Sequence, residues 1–217
     1  MTQAVEAVVF DLWETLVPFD DSKWLEALEE LAAESDVDPV AYGAAWTEDR
    51  AARDKGEFEE SARRIYRRLG LELEDELLAT ISKRRRAAFA AIFVPRDGAV
   101  PTLEQLRARG VRTGLVTNCS SETPELWAAS PLAPLIDACV FSCREGARKP
   151  ERRLYESAAE RLGVKPEACV YVGDGNDDEL TGAARAGMRP VLLRTQWQRD
   201  WDGEAIDDLR EVVELVA

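Results

Sequence analysis

Apolar positions in the second half of the chain alternate between two spacings. Short runs rich in β-branched residues predict buried strands, and segments with apolar residues three or four positions apart predict helices between them. One further apolar run, Ala7–Phe10, precedes this region and predicts a first strand. Later strands are predicted at 113–117, 138–141, 169–172 and 190–193, with helices at 102–109, 122–129, 151–162, 178–186 and 207–216. This alternation predicts an α/β fold with a Rossmann-like parallel sheet and helices on both faces.

The segment between residues 20 and 94 has a different pattern, with helical spacing throughout and little glycine or proline. One apolar stripe runs through positions 24, 25, 28 and 31, and another through 58, 62, 65 and 69. The pattern predicts an all-helical insertion of about four helices. Because the insertion follows the carboxyl end of the first strand, where open α/β sheets bind ligands, we expect it to cover the active site. The predicted domains are a core of residues 1–16 and 95–217 and a helical cap of residues 17–94.

Composition and charge narrow the possible functions. With 46% hydrophobic residues, the 217-residue chain has enough apolar material for one good-sized core. A net charge of −14 disfavours nucleic acid and anionic membranes as partners, and a phosphate site would need a local cation. The sequence contains no histidine, which excludes Ser–His and Cys–His hydrolases and histidine-ligated metals. Any metal is therefore expected to be a hard cation with oxygen ligands.

Several features predict a cytoplasmic protein. The sequence has no apolar run of about 18 residues that would cross a membrane, and it begins without the basic and apolar regions of an export signal. The cysteines lie at positions 119, 139, 143 and 169, without metal-ligand spacing, and are interpreted as reduced thiols. The expected oligomeric state is a monomer or a homodimer.

Polar side chains follow three of the predicted strands. Asp11 ends the first strand, Thr117-Asn118 ends the second along the chain, and Gly173-Asp174 follows a later one. The carboxyl ends of parallel strands point the same way, so these residues are expected to converge on one site. Lys149 precedes Pro150 at a predicted helix start and would neutralise part of the carboxylate charge. A nucleophilic aspartate among so many acids indicates a divalent cation.

The polar groups also form four motifs in order: Phe10-Asp11-Leu12-Trp13-Glu14-Thr15-Leu16, Thr117-Asn118, Lys149-Pro150, and Gly173-Asp174 with Gly182-Ala183 and Ala186-Gly187. Over nearly the whole chain, this series resembles the haloacid dehalogenase superfamily, and the helical insertion resembles that superfamily's helical cap.

The resemblance implies a hydrolase, and most directly a phosphatase that acts on a small phosphorylated metabolite through an aspartyl-phosphate. Asp11 would be the nucleophile, and Thr117, with Asn118, would hold the phosphoryl oxygens. Lys149 would stabilise both Asp11 and the transferring group. A Mg²⁺ ion would be held by Asp11, the backbone carbonyl of Trp13, Asp174 and Asp178, with Glu179 as the alternative to Asp178. Phosphoryl transfer needs mainly alignment and charge neutralisation, which this set supplies.

Trp13 departs from the phosphatase pattern. That position usually holds a second aspartate, which protonates the leaving group, and an aromatic residue there resembles the metal-independent 2-haloacid dehalogenases. That branch usually has serine at the position of Asp174, whereas a site with Asp174 and its acidic neighbours would repel a haloacid unless a cation were bound. The phosphatase is the preferred interpretation. A dehalogenase, and a catalytically weak protein that uses the fold for binding, remain alternatives.

If the protein is a phosphatase, the leaving group needs little protonation, or Glu14 or a carboxylate of the cap replaces the missing acid.

Two charged segments are interpreted as structural and not as part of the site. The basic run Lys83–Arg86 is expected to be a solvated helix, because four consecutive helical residues point in all directions. Asp177 and Glu179 are expected to be charges favoured at a helix N-terminus.

Overall fold

A computed structural model of the protein describes residues 4–216; residues 1–3 and 217, the outer ends of the predicted core, lie outside that range. Within it, six parallel strands form one sheet in the order β3-β2-β1-β4-β5-β6. The strands are β1 Ala7–Phe10, β2 Arg112–Thr117, β3 Ala138–Phe141, β4 Cys169–Gly173, β5 Arg189–Leu193 and β6 Glu204–Ile206. The predicted α/β fold is therefore confirmed.

Strand β1 lies at the centre of the sheet because both of its faces are apolar. Val8 and Phe10 pack into one hydrophobic cluster, and Ala7 and Val9 pack into a second cluster on the opposite face. Helices cover both clusters, which accounts for a continuous apolar run in place of an alternating one. In register, Phe10 pairs with Leu115 of β2 and Val172 of β4. The next residue, Asp11, therefore lies at the carboxyl edge of the sheet.

The helices fall into two groups along the chain. The core contains α6 Ala99–Ala108, α7 Thr123–Ala128, α8 Ser142–Glu145, α9 Arg152–Leu162, α10 Glu179–Ala186 and α11 Val212–Leu215. The insertion between β1 and β2 contains α1 Asp21–Glu34, α2 Pro39–Glu48, α3 Arg50–Arg53, α4 Phe58–Arg68 and α5 Asp75–Ile92. Two of these helices begin at side-chain caps, because Asp20 accepts a bond from the Lys23 N–H and Asp38 accepts one from the Ala41 N–H.

The insertion is helical, as predicted, and buries its apolar stripes in a cluster of its own. Tyr42, Ile65 and Ile81 are fully buried in this cluster, which is separate from the two that flank the sheet. Residues 21–92 form five helices where about four were predicted, because α3 is a single turn between α2 and α4. No helix in the described residues combines the length and the apolar character needed to cross a membrane.

The predicted helix at 207–216 is wrong over its first half. The chain first adds strand β6, which pairs with β5 from Val191↔Glu204 to Leu193↔Ile206. It then forms a 3₁₀ turn at Leu209–Glu211, where Asp208 and Glu211 make a reciprocal capping box, and only afterwards the short helix α11. A strand of three residues that begins with a glutamate gives too little periodicity to be recognised in the sequence.

Candidate active site

The polar ends of the adjacent strands β2, β1 and β4 meet at the carboxyl edge of the sheet. Asp11 follows β1, and its backbone N–H donates to the carbonyl oxygen of Val172 in β4 at 2.9 Å. Asp174 follows β4, and Asn118 follows β2. Asp11, Asn118 and Asp174 line the same cavity, as the sheet topology predicted.

Lys149 joins this group from the loop before α9. Its backbone N–H donates to Asn118 Oδ1 at 2.8 Å. Its Nζ lies 2.5 Å from Asp11 Oδ1 and 2.5 Å from Glu179 Oε2, and it also donates to Tyr171 Oη at 3.3 Å. Lys149 is therefore a buried cation that bridges two carboxylates that follow the neighbouring strands β1 and β4.

The predicted metal ligand Asp178 is exposed and lies outside this group, whereas Glu179 is fully buried within it. Oxygen atoms of Asp11, Asp174 and Glu179 all lie within 4.8 Å of one another. Glu179 reaches the group because Gly173 has no side chain: the Glu179 carboxylate occupies the space that a Cβ would need. Glu179 is thus more than the helix N-terminal charge expected from the sequence.

The acids outnumber the single ammonium group of Lys149, and their pKa values reflect this. Burial raises the pKa of Asp11 well above its usual range, and Glu179 and Asp174 add to the effect while Lys149 opposes it. Burial, together with Glu179, raises the pKa of Asp174 to about 6. Burial alone would lower the pKa of Lys149, but Asp11 and Glu179 outweigh it and raise that pKa instead. The site thus has an excess of negative charge that a cation would offset.

One oxygen of this cluster has no partner. Asp174 Oδ2 is buried and accepts no hydrogen bond from residues 4–216, although Asp174 Oδ1 accepts one from the Asn176 N–H at 3.2 Å. A buried carboxylate oxygen without a donor is costly unless a ligand satisfies it. The oxygen-only donor set and this unpaired atom fit a hard divalent cation such as Mg²⁺.

Thr117 and Asn118 differ in how they reach the cavity. The Thr117 hydroxyl is buried and donates to the carbonyl of Asn118 at 3.4 Å; Thr117 is not among the cavity-lining residues that the structure describes. The Asn118 side chain donates to Asp177 Oδ2 at 2.8 Å. That oxygen also pairs with Arg50 of the insertion at 2.8 Å and with Arg148 at 3.1 Å. Asp177 therefore connects helix α3, through Arg50, with Asn118 and Arg148 of the core.

The cavity above Asp11 has a volume of about 430 Å³ and is walled on its far side by the insertion. Trp13 forms part of it and makes edge-on contacts with Phe19, Phe89 and Phe93, with ring centroids 5.4–5.7 Å apart. Trp24 continues this aromatic wall. Position 13 is where a phosphatase would usually have its general acid. In this protein Trp13 instead makes a hydrophobic contact between the core and the insertion.

Arg85 is the cavity residue that the sequence interpretation missed. The run Lys83–Arg86 was expected to be solvated, but Arg85 is only 1% exposed. Its Nε donates to Glu122 Oε1 at 2.5 Å. Its guanidinium carbon lies 4.7–5.3 Å from the ring centroids of four aromatic residues, which are Trp24, Trp46, Phe58 and Phe89. The one available sequence signal was that helical spacing puts Arg85 on the same face as the buried Ile81 and Phe89.

Comparisons with known proteins show what the chain is similar to. A family model for haloacid dehalogenase-like hydrolases matches residues 5–187. A glyceraldehyde 3-phosphate phosphatase from Methanopyrus kandleri is 34% identical over 146 residues, which are 67% of this chain and only 63% of that relative. A protein named phosphatase MT3486, from Mycobacterium tuberculosis, is 30% identical over 88% of both chains.

Solved structures show the same fold. A phosphatase from Thermococcus onnurineus superposes with a TM-score of 0.73 over 98% of both chains, at 21% identity. Solved dehalogenases also share the fold.

Proposed function

The chain belongs to the haloacid dehalogenase-like hydrolases, and on this basis we propose that it is a Mg²⁺-dependent phosphatase of a small phosphorylated metabolite. The observation that carries the proposal is the cluster at the sheet edge. Asp11, bridged by Lys149 to Glu179, lies beside a buried Asp174 oxygen that has no partner among residues 4–216. The phosphatase names of two curated relatives support the same reaction.

In this proposal Asp11 and Asp174 hold the Mg²⁺ ion with the backbone carbonyl of Trp13, and Glu179 supplies the third carboxylate in place of Asp178. The cation would neutralise phosphoryl and carboxylate charge, which is its usual contribution in such sites. The excess of negative charge at the cluster supports this role. Glu179 Oε2 accepts from Lys149 and Tyr171, and Oε1 accepts from the Gly175 N–H, so the carboxylate is held firmly in place.

The remaining roles follow from position. Asp11 attacks phosphorus, the bond to the leaving group breaks, and water then hydrolyses the aspartyl-phosphate. Lys149 favours the ionised form of Asp11, whose pKa burial raises, and its charge would offset that of the phosphoryl group. Asn118 lines the cavity, and its Oδ1 orients Lys149 by accepting the Lys149 backbone N–H. We propose that Asn118 and Thr117 also hold the phosphoryl oxygens.

Two carboxylates were predicted as substitutes for the acid missing at Trp13, and the contacts favour the one from the cap. Glu14 Oε1 accepts the Phe19 N–H at 3.3 Å, and its Oε2 lies 3.6 Å from Arg96, so both oxygens are occupied. Asp54 of the insertion is buried and lines the cavity, and burial raises its pKa although Arg53, Arg50 and Arg148 oppose the shift. A raised pKa makes a carboxyl group better suited to carry a proton to a leaving group.

We therefore propose Asp54 as the general acid. Replacing it by asparagine should lower kcat on phenyl phosphate by about 10²-fold, because phenoxide leaves poorly without a proton. The same replacement should leave kcat on acetyl phosphate nearly intact, because acetate is a much better leaving group. An equal loss on both substrates would assign Asp54 to structure instead.

The dehalogenase alternative is less well supported. A haloacid brings a carboxylate into the cavity, and the three buried acids at its base would repel it in the absence of a cation. The 2-haloacid dehalogenases among the solved neighbours share the fold at 24% identity or less, which does not decide the reaction.

One experiment separates the three interpretations. Phosphate release from acetyl phosphate and p-nitrophenyl phosphate is measured with Mg²⁺ and with EDTA, beside chloride release from 2-chloropropionate. The phosphatase requires Mg²⁺-dependent phosphate release that the Asp11→Asn variant lacks, by at least about 10⁴-fold. Chloride release without metal would instead establish a dehalogenase, and silence on all three would favour a binding protein.

We further propose that residues 17–94 act as a cap that closes over the substrate, supported by the separate apolar cluster of the insertion and its contacts with the cavity. A cytoplasmic location is also proposed. It is supported by the cysteines, all four of which are free thiols.

A further inference from the structure

Two arginines of the insertion line the cavity without enough carboxylate to balance them. Arg85 is paired with Glu122. Arg53 lines the cavity too, but its one hydrogen bond to residues 4–216 runs from Nη1 to the Trp46 carbonyl at 2.7 Å. Arg50, on the same helix, differs in this respect because it pairs with Asp54 and Asp177. Arg53 is therefore a guanidinium group without an acidic partner in the described chain.

Several donors at this end of the cavity remain unused. The Nε and Nη2 groups of Arg53 donate to no residue between 4 and 216. Arg85 Nη1 is buried and has no hydrogen-bond partner in that range. The same is true of Oγ1 of Thr123, which also lines the cavity. Buried donors are nearly always satisfied, so Arg85 and Thr123 point to a ligand that accepts hydrogen bonds, and the partly exposed Arg53 offers its two free donors to the same cavity.

The charge balance points to an anion. Burial and the repulsion from Arg85 together lower the pKa of Arg53 to about 10, although Asp54, Glu122 and Asp49 attract it. Asp54 already pairs with Arg50 and Arg148, Asp49 with Arg64, and Glu122 with Arg85, so the charge of Arg53 is left in excess at this end of the cavity. The opposite end, around Asp11, carries an excess of negative charge before a cation binds. The two ends of the cavity therefore differ in sign.

The walls between the two ends are aromatic. The Arg53 guanidinium lies over the Trp46 ring with its carbon 5.4 Å from the centroid. Trp24 and Phe89 continue the wall towards Trp13. An apolar part of a ligand would therefore be covered on its way from the cluster at Asp11 to Arg53.

We propose that Arg53 binds a carboxylate at the far end of the substrate, so that the substrate class is a phosphorylated organic acid with an apolar spacer. The planar edge formed by Nε and Nη2 of an arginine matches a carboxylate in a bidentate pair. Arg85 and Thr123 contribute charge and hydrogen-bonding groups beside it. This inference rests on the proposed phosphatase function, which places the phosphoryl group at Asp11.

Three substrates that differ only at the far end test the proposal. These are phenyl phosphate, 4-carboxyphenyl phosphate and 4-(phosphonomethyl)phenyl phosphate, each assayed for phosphate release with Mg²⁺. We expect kcat/KM for the carboxylate to exceed that for phenyl phosphate by roughly 10- to 100-fold, the range of a charge-assisted hydrogen-bonded pair. A larger preference for the phosphonate would reassign the site to a second phosphoryl group and overturn the carboxylate.

Variants at position 53 assign the preference to the residue. In Arg53→Gln the ratio between the carboxylate and phenyl phosphate should fall towards 1. In Arg53→Lys, which retains charge but loses the planar edge, the ratio should be intermediate. Arg67→Gln is the matched control: Arg67 is an exposed arginine of the insertion outside the cavity, and its removal should leave the ratio unchanged. A wild-type ratio in Arg53→Gln would overturn the proposal.

A binding measurement separates failure of this inference from failure of the phosphatase. Isothermal titration compares 4-carboxybenzylphosphonate with benzylphosphonate, neither of which is hydrolysed. Tighter binding of the carboxylate that depends on Arg53 would support the anion site even if no substrate were turned over, in which case only the phosphatase would fail. Equal binding of both compounds to the wild-type protein would overturn the anion site whatever the enzyme hydrolyses.

Discussion

The two walls of the active-site cavity are built on different principles. The core wall holds Asp11, Asp174, Glu179 and Lys149, whose charges lie against one another at the ends of strands. The wall formed by the insertion holds Arg85 among aromatic rings, with a single carboxylate partner from the core. The core wall concentrates charge, and the wall of the insertion surrounds a buried arginine with aromatic surface.

This contrast separates chemistry from recognition. The strand ends are fixed by backbone pairing, so the reacting groups keep their positions whichever substrate is bound. The opposite wall is assembled from four helices, with Trp24 on α1, Trp46 on α2, Arg53 on α3 and Phe89 on α5, and its shape depends on how those helices pack. Apart from the proposed general acid Asp54, which belongs to the insertion, the reacting groups are therefore expected to stay in place when substitutions in the insertion change substrate preference.

The largest expected effect is a loss of folding stability when Arg85, the buried cation of the insertion, loses its core partner Glu122. Glu122→Gln should destabilise the protein by about 3–5 kcal/mol, because Arg85 would remain buried without a charged partner. The measurement is urea-induced unfolding of the apo protein.

The neighbouring pair Arg86–Glu125 is the control, since it joins the same two helices, α5 and α7, at the surface. Glu125→Gln should cost no more than about 1 kcal/mol. Equal losses in the two variants would mean that burial does not distinguish the pairs, and the contrast between the walls would fail.

A smaller effect, on kcat/KM and on Mg²⁺ activation, is expected for Glu179 in the core wall. Glu179→Gln should lower kcat/KM by roughly 10- to 100-fold and weaken Mg²⁺ activation, because Lys149 loses one of its two charged partners. Asp178→Asn, which alters the adjacent but exposed acid, should change either quantity by less than about twofold. Phosphate release over a Mg²⁺ titration measures both, and the reverse order would restore Asp178 as the metal-site residue.

The smallest effect concerns Trp13, where the two walls touch. In an Asp54→Asn background, Trp13→Asp should raise kcat on phenyl phosphate by about tenfold, well short of the 10²–10⁴-fold of an optimised acid. The gain is limited because Phe19, Phe89 and Phe93 lose their packing partner. An unchanged rate would indicate that protonation of the leaving group does not limit turnover.

The sequence predicted the core wall far better than the opposite one. Asp11, Asn118 and Asp174 were expected to converge because each follows an apolar strand, and strand ends are visible in a one-dimensional pattern. Glu179 was assigned to the helix N-terminus because a sequence does not reveal that Gly173 leaves room for its carboxylate. Periodicity in the sequence identifies helices and strands, whereas the space left beside Gly173 decides whether Asp178 or Glu179 points into the site.

Arg85 was misjudged for a different reason. A run of four basic residues predicts a solvated helix on average, and three of its members do lie at least partly at the surface. The fourth is buried because Glu122, 37 residues away, and aromatic rings from three other helices enclose it. Such an environment exists only after separate segments have packed together, so the helical spacing from Ile81 and Phe89 was the only local signal and did not show what would enclose Arg85.

The position of β1 at the centre of the sheet has a consequence for synthesis on the ribosome. This strand is made first, yet its partners are β2, which begins about 100 residues later, and β4, which begins later still at Cys169. At about 5–20 residues per second, an entirely apolar strand therefore waits on the order of ten seconds for its second neighbour. The insertion, whose apolar cluster is drawn from one continuous stretch of chain, is able to fold during that interval. The nascent chain is then expected to depend on chaperones mainly through residues 7–10, until Val172 has left the exit tunnel.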